Sequence, residues 1–95
     1  MENIPQKVIV QDWSDSIGVA LVPIWAGEVL NIKIGTETRT VRIQNDIPRY
    51  HKFAVIDLPG GAEVLKNGEV IGRLLRETKI GEHVHTHNLT GLTMK

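Results

Sequence analysis

Along much of the chain, apolar residues recur at every second position rather than every third or fourth. Leu30, Ile32 and Ile34 alternate with Asn31 and Lys33, and Val41 and Ile43 alternate with Arg42 and Gln44. Side chains on an extended strand alternate faces, so this pattern predicts half-buried strands with one wet face. Lys7-Val8-Ile9-Val10 predicts a short first strand, and Lys52 to Asp57 another, ended by Pro59-Gly60-Gly61. The continuous apolar run Ile17 to Val22, after the turn formers Asp12-Trp13-Ser14-Asp15-Ser16, predicts a strand buried on both faces. Nowhere do apolar residues hold helical spacing for long, so any helix is a single turn, at Asp57 to Gly61 or Glu77 to Gly81. Asn67-Gly68, between Val64-Leu65 and Val70-Ile71, predicts a two-residue type I′ hairpin whose central residues need positive φ. The expected fold class is all-β, with many short strands.

A weak repeat overlies these strands. An apolar or β-branched residue is followed three positions later by a turn residue and six later by another apolar one. The instances are Ile24/Gly27/Leu30, Ile47/Tyr50/Phe53, Leu58/Gly61/Val64 and Thr78/Gly81/Val84. An acidic residue precedes three of them, at Asp46, Asp57 and Glu77. Each instance predicts a tight corner feeding a strand, which gives a folded-over β structure rather than a flat sheet. Chance recurrence of turn chemistry produces the same pattern without that meaning.

Composition narrows the function classes. A length of 95 residues predicts one domain, 1–95, with no room for a second core. Only 4% of residues are aromatic, so Val, Ile, Leu and Ala must build the core. Eleven basic and eleven acidic residues balance without forming blocks, which argues against nucleic acid or an anionic membrane as partner. The absence of cysteine removes disulfides, thiolate catalysis and sulfur-ligated zinc. Met1-Glu2-Asn3-Ile4-Pro5 has neither the basic start nor the apolar stretch of a signal peptide. The longest clean apolar run, Val19 to Val22, is too short to span a bilayer. A cytoplasmic location is expected.

The densest chemistry lies in Glu82-His83-Val84-His85-Thr86-His87-Asn88, which holds three of the four histidines. On an extended strand His83, His85 and His87 share a face, with neighbouring imidazoles starting ~6.6 Å apart. β-Branched Val84 and Thr86 favour that extended form. Such a face suits a metal ion or an acidic ligand better than a packed core; the alternative is a terminal strand with a solvated side. His51-Lys52 offers a proton-transfer group beside a cation, or a polar pair at an exposed corner.

Several blocks together resemble one family. Ile47-Pro48-Arg49-Tyr50-His51-Lys52-Phe53-Ala54, Lys66-Asn67-Gly68-Glu69-Val70-Ile71-Gly72-Arg73 and Gly81-Glu82-His83-Val84-His85-Thr86-His87-Asn88 are similar to its successive signature blocks. Asp15-Ser16-Ile17-Gly18-Val19-Ala20 and Ala26-Gly27-Glu28 are similar to its opening ones. It is the SAF domain at the front of altronate and galactarate dehydratases, also found as the small subunit of sulfolactate sulfo-lyase. The resemblance covers Asp12 to Asn88 and implies a β-clip fold. This chain departs from it at Tyr50, where the family usually has glycine, and at Asn67, where it usually has tyrosine. The Asp-Ser-Ile-Gly-Val opening lies closer to the sulfo-lyase subunit.

The resemblance implies β-elimination from a 2-hydroxy acid. A proton leaves the carbon beside the carboxylate, water or sulfite leaves the next carbon, and a 2-keto acid results. It also implies a divalent metal, iron(II), and a large lyase subunit as partner. His85 and His87, which match the family's His-x-His-Asn block, become the metal ligands, whereas His83 occupies a variable position. His51 and Lys52 become the catalytic pair, and Asp15, Ser16, Lys66 and Asn88 the substrate-binding residues. A cupin also uses His-x-His but needs a glutamate about four residues further on, and Gly91-Leu92 occupies that region. An ice-binding SAF module needs a flat, weakly polar face rather than histidines and charges. A non-catalytic sugar-acid-binding or regulatory SAF module stays open as the alternative.

Overall fold

In the computed structural model, which describes residues 6–91, nine short strands follow one another without a helix. They are β1 (Val8–Ile9), β2 (Ile17–Ala20), β3 (Val29–Ile34), β4 (Glu37–Arg42), β5 (Lys52–Ala54), β6 (Glu63–Lys66), β7 (Glu69–Leu74), β8 (His83–Val84) and β9 (Leu89–Gly91). The central antiparallel sheet has the order β1-β2-β5-β8; β3-β4 forms a separate hairpin and β6-β7-β9 a three-stranded sheet. The all-β expectation holds.

The central sheet is covered on both faces, which explains why the Ile17 to Ala20 run lacks a polar alternation. Register sets Gly18, Phe53 and His83 side by side, and Val19, Lys52 and Val84 on the opposite face. Phe53, Val8 and Ala20 meet the hairpin residues Ile32, Ile34 and Val41 in one core. Ile17, Ala54 and Val84 meet Val64, Leu74 and Leu89 of the three-stranded sheet in another. At about 25 cal/mol per Å² of apolar surface removed from water, these two aliphatic layers are the main stabilising term.

The four predicted corners are real and equivalent. Their third residues, Gly27, Tyr50, Gly61 and Gly81, all have positive φ, between 68° and 93°. Each donates its N–H to a carbonyl at the end of a strand or just past it, of Ile43, Ala20, Leu74 and Ala54 respectively. Those same four residues donate back to the carbonyl of the next corner residue, Glu28, His51, Ala62 or Glu82. The corners also join in pairs through the antiparallel bridges Ile24↔Ile47 and Leu58↔Thr78. Asp46 and Asp57 brace the pairs by accepting from the N–H groups of Ala26 and Ile80, at 2.8 and 2.7 Å. Glu77, the third acid of the repeat, instead makes an exposed ion pair with Lys79. Tyr50 is the one corner residue forced to φ 68° with a side chain, a conformation that costs a non-glycine residue roughly 1 kcal/mol or more.

Asn67 (φ 54°) and Gly68 (φ 76°) form the two-residue turn between Lys66 and Glu69, as a type I′ hairpin requires. Other expectations need correction. Asp57 to Gly61 and Glu77 to Gly81 contain no helical turn, because bridging fixes Leu58 and Thr78 in extended geometry. The strand expected at Val41 and Ile43 begins earlier, at Glu37; Thr38 and Thr40 face water, so no apolar alternation marked it. The segments expected at Lys7 to Val10, Ile17 to Val22 and Lys52 to Asp57 are shorter strands, since the corners cut in. β9 was not anticipated. Among the described residues no helix is long and apolar enough to cross a membrane. The N-terminal segment Met1 to Pro5, read above for targeting, lies outside the described residues, as does Leu92.

Candidate functional site: a histidine stack on a sheet edge

The corners decide which polar side chains gather. His51 directly follows the positive-φ residue of the second corner, and its carbonyl accepts from Ala20 N–H at 2.9 Å. His83 opens β8, the edge strand of the central sheet, directly across from Phe53. The Asn45 side chain accepts the His83 N–H at 3.0 Å and so covers a donor on this edge.

The expectation that His83, His85 and His87 lie on one extended strand fails. β8 stops at Val84, and His85 to Asn88 turn back into β9. Asn88 makes that turn. Its side-chain oxygen accepts from His85 N–H at 2.9 Å and its amide donates to the His83 carbonyl at 2.8 Å. The backbone closes the same loop, with Asn88 N–H and Leu89 N–H both donating to the His85 carbonyl. Asn88 is completely buried and both ends of its amide are engaged. It therefore shapes the histidine loop.

The turn brings all four histidines together. The His51 ring stacks on His85 at 4.5 Å between centroids and on His83 at 5.1 Å, with interplanar angles of 14° and 25°. His83 lies 5.6 Å from His85 and 5.3 Å from His87. A hydrogen bond of 2.9 Å joins His51 Nδ1 to His83 Nε2. Burial, then the neighbouring imidazoles His51, His87 and His85, push the His83 pKa down to about 4. Burial, His85 and Lys52 likewise lower that of His51. Both rings are thus uncharged near neutral pH, the form in which imidazole can accept a proton or bind a metal.

The donor chemistry suits a first-row divalent ion, but the geometry of this chain does not complete a site for one. Among the described residues no three His, Asp or Glu side chains converge as a metal requires. Nor is the stack enclosed. His51, His83 and His85 are half-buried and His87 is exposed. The histidine face is an open wall.

The other expected site residues separate into two groups. Lys52 projects from the face of β5 opposite Phe53, and its pKa is lowered by burial and by repulsion from Lys66. Neither lysine enters an ion pair among the described residues, so both cations are free for an anion. Asp15 and Ser16 are buried and engaged. Asp15 accepts from the N–H groups of Asp12, Asn67 and Gly68, at 3.1, 2.9 and 2.9 Å. Ser16 is tied to Leu65 by its backbone N–H and its hydroxyl oxygen. Together these bonds clamp the β6–β7 turn to the start of β2. What sequence reasoning undervalued is His83, whose one available signal was its alternation with His85.

Comparison with known proteins agrees with this architecture. A family model for the altronate/galactarate dehydratase SAF domain matches residues 6–92. The chain is 36% identical over 84 residues to the (2R)-sulfolactate sulfo-lyase subunit alpha of Chromohalobacter salexigens, covering 85% of this chain and 89% of that one. It is 38% identical over 74 residues to the altronate dehydratase of Escherichia coli, covering 78% of this chain and only 14% of that enzyme. The chain thus spans nearly all of one relative and about a seventh of the other. It belongs to the SAF-domain family of the altronate/galactarate dehydratases.

Proposed function

We propose that this chain is the small subunit of a two-chain cytoplasmic lyase that removes water or sulfite from a 2-hydroxy acid and leaves a 2-keto acid. The observation that carries this reading is the open histidine wall. Neutral imidazoles with unengaged ring nitrogens stand on a sheet edge, where a second chain can close a site over them. The match over 89% of a relative named as a subunit alpha supports the two-chain arrangement.

In this reading His51 takes part in proton transfer beside the substrate carboxylate, and uncharged imidazole is the form that can accept the proton. Lys52 and Lys66 hold a substrate carboxylate or sulfonate, two cations with no ion-pair partner among the described residues. His85 and His87 are the donors this chain offers to a divalent ion, iron(II), whose remaining ligands come from the larger chain. Such an ion would acidify the substrate proton by holding the carboxylate and 2-hydroxyl oxygens. The incomplete donor set favours one other reading, a sugar-acid-binding or regulatory module without catalysis.

The test is reconstitution. The small chain, the large lyase chain and both together are assayed with iron(II) for 2-keto acid from altronate, galactarate and sulfolactate. Turnover only with both chains is expected. Full turnover by the large chain alone would leave the binding module as the better account.

A further inference from the structure

We propose that Arg49 and Tyr50 form an anchor by which this chain binds the large lyase chain, the Tyr50 ring entering an apolar recess and the Arg49 guanidinium meeting a carboxylate. The anchor rests on the two-chain reading above and names the contact that joins the two chains.

The other corners of this same chain serve as controls. The four corners are turns at 25–28, 48–51, 59–62 and 79–82, each closed by a hydrogen bond of 3.0 or 3.1 Å from the last N–H to the first carbonyl. Positive φ at the third residue of such a turn is the mark of type II, which takes glycine there. Gly27, Gly61 and Gly81 follow that rule, and Tyr50, at φ 68°, does not. Space does not explain the exception. A Cβ at Gly27 or Gly61 would meet nothing within 4 Å, yet both positions keep glycine. Turn 59–62 also starts on proline and leads into a strand, but it reads Pro59-Gly60-Gly61-Ala62 against Pro48-Arg49-Tyr50-His51. The same corner is thus built without either side chain.

Nor does packing offset the strain. Tyr50 is 62% exposed, whereas Phe53, three residues on, is completely buried. The Arg49 guanidinium lies 4.7 Å from the Tyr50 ring centroid, a cation–π contact that steadies both side chains. Arg49 is exposed and enters no ion pair among the described residues. Tyrosine and arginine are the residue types enriched where one protein holds another. The turn is already rigid, because Tyr50 N–H donates to the Ala20 carbonyl at 2.6 Å and Ala20 N–H to the His51 carbonyl at 2.9 Å. Little ordering is left for binding to impose. His51, whose ring stacks on His83 and His85, is the last residue of this turn. A chain closing over the stack therefore meets Arg49 and Tyr50 at its rim.

The test is calorimetric titration of the large lyase chain with the 95-residue chain, alongside thermal unfolding of each variant. Tyr50→Gly should weaken binding at least about tenfold without any fall in Tm. Arg49→Glu, which reverses the charge, should weaken it as well. Gly61→Tyr, the opposite exchange at the matching turn, should lower Tm by a few degrees. An unchanged Kd in either binding variant overturns the anchor. So does a fall in Tm with Tyr50→Gly, which would make the ring part of the fold, or an unchanged Tm with Gly61→Tyr, which would remove the strain. Self-association of the wild-type chain that Tyr50→Gly abolishes would make a second copy the occupant and overturn it too. If the wild type fails to bind the large chain, the two-chain reading falls together with the anchor; if wild type and Tyr50→Gly bind alike, the anchor alone falls.

Discussion

Two clusters of polar side chains lie against the central sheet, and they differ in what their hydrogen-bonding atoms do. Around Asp15 the carboxylate collects three backbone N–H groups and Ser16 binds Leu65, so both side chains are buried and engaged. Around His51 and His83 only one nitrogen–nitrogen bond links the four rings to one another, and the rings stand half-buried to exposed. The first arrangement is how a protein holds a turn. The second leaves lone pairs and protons available, at the cost of desolvating the rings it gathers. A polar residue in a family motif is therefore assigned by whether its atoms are already engaged.

Breaking the first cluster should have the largest effect on stability. Asp15→Ala leaves the N–H groups of Asp12, Asn67 and Gly68 without their acceptor. The expected loss is about 3 kcal/mol, or a fall in Tm on the order of 15 °C, read by thermal unfolding. A loss under a few tenths of a kcal/mol would place Asp15 outside the clamp. Asn88→Ala comes next. It removes both bonds that shape the histidine loop, and chemical unfolding should show a loss of about 2 kcal/mol. The same variant should disperse the His85 ring resonances, which Asp15→Ala should not.

Acid should distinguish the clusters next. The folded pKa of His83 is about 4, below the 6.5 of the unfolded chain. Between those values the unfolded state binds a proton that the folded state refuses, so stability is complete above pH 6.5 and lost as pH falls through that window. His51 is shifted in the same direction and adds to the loss. In the clamp region, hydrogen bonds from the Ser14 hydroxyl and N–H hold Asp12 below its ordinary 3.8, so its contribution fades only in stronger acid. Tm should therefore decline between pH 7 and pH 5, and His83→Phe should remove much of that decline. A flat profile over that range would contradict the desolvated stack.

The corners and the hairpin were legible because their signals are local. Gly27, Gly61 and Gly81 at constant spacing, and Asn67-Gly68 between strands, state a backbone requirement in the residue type itself. β4 was legible only at its end, since Glu37, Thr38 and Thr40 sit on an exposed hairpin whose fold is set by its partner β3. The histidine site was half legible. His83, His85 and His87 announce a cluster, but the alternation suggested a strand where Asn88 builds a turn. That His51 completes the stack depends on pairing β5 with β8, which nothing near His51 encodes. The clamp made by Asp15 and Ser16 was illegible for the same reason: their partners, Leu65, Asn67 and Gly68, lie about fifty residues away.

The central claim is that the histidine face forms a wall of the lyase site, and one measurement addresses it most directly. The complex of this chain with the large lyase chain is assayed for 2-keto acid with wild type, His85→Ala and His87→Ala, alongside the Tm of each small chain. His87 is exposed and His85 half-exposed, so truncation should shift Tm by only a few degrees. The account predicts that each substitution lowers kcat/KM at least about tenfold, a loss of roughly 1.4 kcal/mol of transition-state stabilisation. Full turnover by both variants, with folding intact, would contradict it.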